Sequence, residues 1–182
     1  MAGSTLESAV AQGSDEEEVH ASPAVVLDAK IRAFMRGGVS IVAASRTPDN
    51  TPCLSRAVGC TVLADNRLLI YLPSSRSLRL VEAIKKTGHI AVVFSEPSSH
   101  KTIQVKSSDA EIVGSTRGDG TRLAKYCAAF TRQLTNLGYS DAMAHALVGV
   151  GVADVTGIAF TPTALFDQTP GPRAGEPLVR TR

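Results

Sequence analysis

The sequence predicts an α+β domain, mainly β, with six antiparallel strands and helices at its periphery. Short β-branched runs follow one another with brief turns between them, as in 39–45, 53–63 and 67–72. Other stretches, above all 119–138, switch to helical spacing of their apolar residues. A chain of 182 residues with 43% hydrophobic and 20% charged content makes one ordinary globular domain with loose ends. That composition excludes a disordered, collagen-like or coiled-coil chain. The expected division is an acidic, disordered tail over 1–22, a domain over 23–167 and a Pro- and Gly-rich tail over 168–182.

The first helix is read from Ala24, carrying Ala29, Arg32, Ala33 and Met35, with Ser22 as N-cap, Pro23 in its first turn and Gly37-Gly38 past its end. VSIVAAS (39–45) is the first strand and Thr47-Pro48-Asp49-Asn50 its turn; Cys53 to Leu63 is the second strand. Asp65-Asn66 turns that strand into the third, Arg67 to Leu72, so the three form a meander. Leu78, Val81, Ile84 and Lys85 share one side of a helix stopped by Gly88. HIAVVFS (89–95) is apolar throughout and reads as a strand buried on both faces. After Pro97-Ser98-Ser99, Lys101 to Val113 makes one long fifth strand. Leu123, Cys127, Phe130, Leu134 and Leu137 then recur at helical spacing, with Asp119 or Thr121 as cap and Gly138 as stop. Ser140 caps a shorter helix, and Asp154 to Thr161 is the last strand. A small barrel is the economical way to close so many short strands.

No run of about 18 apolar residues is free of charge, and the N-terminal 25 residues are acidic where a secretory signal is basic and then apolar. A cytoplasmic protein without membrane contact is expected. Cys53, Cys60 and Cys127 match no zinc spacing or disulfide framework and read as small core hydrophobes. The net charge of +2 hides an asymmetry: Glu7, Asp15, Glu16, Glu17 and Glu18 precede any basic residue, leaving nineteen basic against twelve acidic residues in the body. Such a body favours an anionic ligand. Nucleic acid is not expected as a partner, because the chain has no Trp and only eight Phe and Tyr to stack bases.

Three clusters carry candidate chemistry. Strict alternation along the second strand puts Leu54, Arg56, Val58, Cys60 and Val62 on one face, a guanidinium among apolar groups. It needs a carboxylate, a phosphate or a β-bulge that releases it to water. The other face, with Ser55, Ala57, Gly59 and Thr61, is small enough for close approach by a flat ligand or another backbone. Pro73-Ser74-Ser75-Arg76-Ser77, at the start of a helix, offers hydroxyls, free N–H groups and a guanidinium, suited to a phosphate monoester or to a plain helix cap. On the fifth strand Thr102, Gln104, Lys106 and Ser108 oppose Ile103 and Val105. Gln104 can pair with a heteroaromatic edge and Lys106 can neutralise negative charge; a solvated strand face gives the same pattern. None of the four histidines has a partner at metal-ligand or triad spacing.

The strand order together with SRAVG (55–59), YLPSSRS (71–77) and IQVK (103–106) resembles the FMN-binding split barrel of the pyridoxamine 5′-phosphate oxidase-like superfamily, over roughly residues 30–115. That resemblance implies a six-stranded antiparallel split β-barrel and a homodimer with flavin at the subunit interface. It assigns Arg56 and Ser75-Arg76-Ser77 to the FMN phosphate, Gln104 to the ring, and backbone of Ala57, Val58 and Leu72 to the isoalloxazine. Two family lysines are replaced, by Thr61 and Ser77, and the Trp-containing C-terminal motif of the true oxidases is absent. The subgroup implied is therefore an uncharacterised one. An FMN-dependent oxidoreductase is the function expected, with no catalytic residue assigned; the alternative is a non-catalytic flavin or haem protein for storage, sensing or stress protection. A deazaflavin could replace FMN.

Overall fold

A computed structural model describes residues 25–114, 119–149 and 151–178. In chain order its elements are α1 (Ala29–Met35), β1 (Ser40–Arg46), β2 (Pro52–Ala57), β3 (Cys60–Val62), β4 (Leu68–Pro73), α2 (Leu78–Thr87), β5 (Ile90–Ser95), β6 (Thr102–Ser107), β7 (Glu111–Val113), α3 (Asp119–Asn136), α4 (Asp141–Val148), β8 (Val155–Phe160) and β9 (Ala164–Asp167). The strands form two antiparallel sheets, ordered β2-β1-β5-β6-β9 and β3-β4-β8-β7. The mainly β, α+β class is as expected. The count of six strands is not: nine are present among the described residues.

Two of the three extra strands have a common cause. The run 53–63 divides at Val58-Gly59, where the chain leaves one sheet and enters the other, its backbone held to β4 by Val58 N–H to Tyr71 O (2.8 Å) and Tyr71 N–H to Gly59 O (3.1 Å). The run 101–113 divides in the same way between Ser107 and Glu111, giving β6 to one sheet and β7 to the other. Both handovers wrap the sheets around one core, in which Tyr71, Phe94, Phe160, Met35 and Ile158 are fully buried. β9 lies beyond the last strand expected, and 168–178 fold back along it: Asp167 N–H reaches Glu176 O (2.9 Å) and Leu178 N–H reaches Leu165 O (2.9 Å).

Local chemistry explains most element boundaries. The acidic segment 1–22 and the Ser22-Pro23 cap lie outside the described residues. The helix expected from Ala24 starts at Ala29 instead, because Asp28 is the N-cap, its carboxylate accepting from Ile31 N–H (2.8 Å). Val25 to Leu27 precede the helix, fastened by Asn66, whose side chain donates to Val25 O and accepts from Leu27 N–H (2.8 and 3.2 Å). α2 ends at Gly88, whose φ of 66° is the left-handed C-cap conformation that glycine adopts without strain. Its buried side carries Leu80, Val81, Ala83 and Ile84; Leu78, expected inward, is 67% exposed. α3 buries Leu123, Phe130 and Leu134 as expected, with Tyr126 in place of the exposed Leu137. Ser140 caps α4, accepting from Met143 N–H (3.3 Å). β5 is buried on one face and half-buried on the other; the strand buried throughout is β4. Among the described residues no helix is long and apolar enough to cross a membrane.

Candidate functional site

Antiparallel register arranges the outer face of the five-stranded sheet in straight rows. Arg56, Val42, Val93, Gln104 and Phe166 are successive cross-strand neighbours in one row. Leu54, Ala44, Ala91, Lys106 and Ala164 form the next. With strands about 4.8 Å apart, the Cα atoms of Arg56 and Gln104 are separated by roughly 14 Å of flat, mostly small apolar surface. Gln104 is half-buried and its Oε1 accepts a long bond from Gln168 Nε2 (3.5 Å). The Lys106 ammonium stands 5.0 Å over the Phe166 ring.

The side assignment made for the second strand is reversed. Cys53, Ser55 and Ala57 point into the core, whereas Leu54 is 71% exposed and Arg56 is half-buried on the outer face. β4 and α2 pack beneath β2 and leave room only for small groups there. Ser55 Oγ meets Ser77 Oγ at 2.7 Å in that buried layer. The alternation also fails to carry past Ala57, because the strand ends there. Arg56 Nη1 donates to Ser40 Oγ (2.8 Å), and among the described residues no carboxylate pairs with it.

Arg76 and Arg56 line different hollows. Arg76 borders one of about 270 Å³ between the start of β2 and the start of α2, together with Leu54, Ser75, Ser77 and Arg79. Among the described residues no acidic side chain lines it, though the Asp154 carboxylate adjoins it through Ser75, and the first turn of α2 has no side-chain cap. Two of the expected phosphate ligands there are committed elsewhere. Ser75 gives both its N–H (3.0 Å) and its hydroxyl (2.8 Å) to the Asp154 carboxylate, and Ser77 is the buried partner of Ser55. Ala57, Val58 and Leu72 are fully buried and offer a ligand no side chain. Lys106 lines a third hollow of about 580 Å³ with Arg46 and His89.

Sequence reading passed over several of these groups. Arg79 stands three residues after Arg76, in the first turn of α2, and lines the same hollow. Asp154 had no signal, since its contact with Ser75 spans 79 residues. Asp119, read as a cap, is a buried carboxylate that accepts from Tyr71 Oη (2.7 Å) and Arg122 Nη1 (2.8 Å). Burial, together with this bond to a carboxylate, pushes the Tyr71 phenol up to about 12. Burial likewise pushes the Cys60 thiol up to about 12, so it stays protonated and weakly nucleophilic. Among the described residues no group of His, Cys, Asp and Glu could hold a metal ion.

No protein-family model matches the chain, and no curated protein does. Solved structures do. HupZ of Group A Streptococcus is 14% identical, with a TM-score of 0.50 over 82% of this chain and 100% of that one. A pyridoxamine 5′-phosphate oxidase-related, FMN-binding protein of Nostoc punctiforme is 12% identical, with a TM-score of 0.45 over 80% and 85%. HutZ, a haem storage protein of Vibrio cholerae, is 12% identical, with a TM-score of 0.46 over 79% and 95%. At these identities the likeness is one of fold.

Proposed function

Starting from a chain with the fold of the pyridoxamine 5′-phosphate oxidase-like superfamily, we propose that this protein binds FMN and serves as an oxidoreductase. The observation that supports this reading is the hollow at the start of α2: two arginines and an uncapped helix start, with no acidic lining among the described residues. Fixed donors and cations of this kind suit a phosphate monoester. Arg76 and Arg79 would hold the phosphate. Gln104 and Lys106 would face the flavin's polar edge from the outer face of the sheet, Gln104 as donor and acceptor, Lys106 as a neutralising charge. When bound, FMN itself supplies hydride or electron transfer. A second copy of the chain laid on that face would cover Leu54 and the apolar rows and exclude water from the ring, which makes a homodimer part of the proposal.

The test is a visible spectrum of the purified full chain followed by FMN titration. Uptake with a band at about 450 nm is expected, from the cofactor's own chemistry. Arg76→Ala should weaken FMN about 10- to 150-fold, the loss of one charge-assisted hydrogen bond of roughly 1.5–3 kcal/mol. A chain that takes up no flavin, or an Arg76→Ala variant with unchanged affinity, overturns the assignment. A band displaced from the FMN position on reconstitution with a deazaflavin would identify that cofactor instead.

One observation favours a second reading, a haem protein. The 580 Å³ hollow is lined by His89, which would ligate a haem iron, by Arg46 and Lys106, which would pair with carboxylates, and by the apolar Ala44, Ala91 and Ala164. A Soret band that disappears in His89→Ala would support it.

A further inference from the structure

α3 and α4 form a hairpin that closes over one end of the outer sheet face, leaving a cleft of about 330 Å³. That volume is at the lower end of small-molecule sites. One wall is Phe130 and Leu134 of α3; the other is Met143 and Leu147 of α4, with Leu137 and Tyr139 at the turn between them. Among the described residues eight large apolar side chains are exposed, and four of them, Leu137 (45%), Tyr139 (47%), Met143 (49%) and Leu147 (37%), line this one cleft. Exposed apolar side chains gathered in this way mark a binding surface more often than chance exposure does.

The floor, which also carries the hydroxyls of Ser40 and Ser95, holds a single charge. Arg56 reaches it from β2, half-buried and steadied by Ser40 Oγ, and among the described residues it is the only charged one in the lining. The partial burial of a charged guanidinium calls for an anionic partner. One cation matches a monoanion. A phosphate dianion would be left half compensated between apolar walls. A carboxylate fits the planar fork of arginine with two parallel hydrogen bonds.

We propose that this cleft binds a small-molecule monocarboxylate with an apolar body, the carboxylate on Arg56 and the body between Leu134, Met143 and Leu147. The site is separate from the hollow that Arg76 and Arg79 share, and it stands whether or not a flavin occupies that hollow. It removes Arg56 from the phosphate to which the sequence resemblance assigns it.

The probe is octanoate, titrated calorimetrically into the full chain alongside 1-octanol and octyl phosphate. Saturable binding of one octanoate per chain is expected, with octanol and octyl phosphate each at least about tenfold weaker, the worth of one charge-assisted hydrogen bond. Arg56→Gln should bring octanoate down to the level of octanol and leave FMN affinity unchanged. Leu147→Glu, at a position 37% exposed, puts a like charge at the mouth and should abolish octanoate binding even if Arg56→Gln fails to fold. Octanoate binding that survives both substitutions overturns the proposal, as does its absence from the wild-type chain. A loss of FMN affinity in Arg56→Gln without any octanoate binding would return Arg56 to the phosphate; loss of FMN alone in Arg76→Ala bears only on the flavin reading.

Discussion

Replacing Tyr71 by Phe tests how α3 is held against the sheet. The phenol and the Asp119 carboxylate are each 1% exposed and 2.7 Å apart, so the bond is between a neutral donor and a buried acceptor shielded from water. A hydrogen bond to a charged group contributes roughly 1.5–3 kcal/mol. Arg122 still reaches Asp119 at 2.8 Å, so the carboxylate keeps a charged partner, one whose side chain is 42% exposed. A loss of about 2 kcal/mol is therefore expected in urea unfolding at pH 7, or roughly 4–8 °C in Tm for a domain of this size. The pH dependence gives a second reading of the same bond. With the folded pKa raised from 10.0 to about 12, the contribution is complete below pH 10 and is lost as pH rises through 12. Wild type should lose stability along that alkaline limb, and Tyr71→Phe should lack the portion due to this group. A variant within about 0.5 kcal/mol of wild type at pH 7, with the same alkaline limb, would refute the reasoning.

Other substitutions probe the surrounding structure. Phe130→Ala removes a ring that is 2% exposed and stacked on Tyr126 at 5.9 Å, and it should cost roughly 3–5 kcal/mol in the same assay; less than about 1 kcal/mol would mean that α3 packs loosely. Ser77→Ala strands the buried Ser55 hydroxyl and should cost about 1–3 kcal/mol, whereas the Ser55→Ala, Ser77→Ala double variant should cost less than the two singles together. Cys60 should resist iodoacetamide at pH 8 in the folded protein and react on unfolding, followed by mass spectrometry, because its thiol remains protonated. Gly38→Ala should destabilise strongly, since its φ is 78° and a Cβ would lie 2.5 Å from the Ala129 carbonyl carbon of α3.

Elements whose signals are local were legible in the sequence. α3 was visible because its apolar spacing persists for about four turns, and α2 because Gly88 marks its end. The two handovers between sheets were not, because a strand that changes sheet keeps its composition and breaks only its parity. That broken parity misplaced Arg56: carrying the alternation through Val58-Gly59 treated two strands as one. The candidate site divides along the same line. Arg76 could be read from its position at a helix start, but the commitment of Ser75 to Asp154 and of Ser77 to Ser55 depends on contacts 79 and 22 residues apart. The cleft over Arg56 needs three distant segments at once, which no spacing along the chain records.

The returning segment 168–178 has a consequence for behaviour at high concentration. β9 is the outermost strand of its sheet, and the chain then lays Glu176 to Leu178 alongside it, with Phe166 and Pro177 bridged. A bare outermost strand offers a ladder of unpaired amides to any neighbouring molecule, and here that ladder would sit beside the half-buried Phe166 ring. The covering segment satisfies part of it and brings a residue without an N–H into the next position, so the sheet cannot be extended there by strand addition. A stretch that contributes little to the core thus guards the sheet against aggregation.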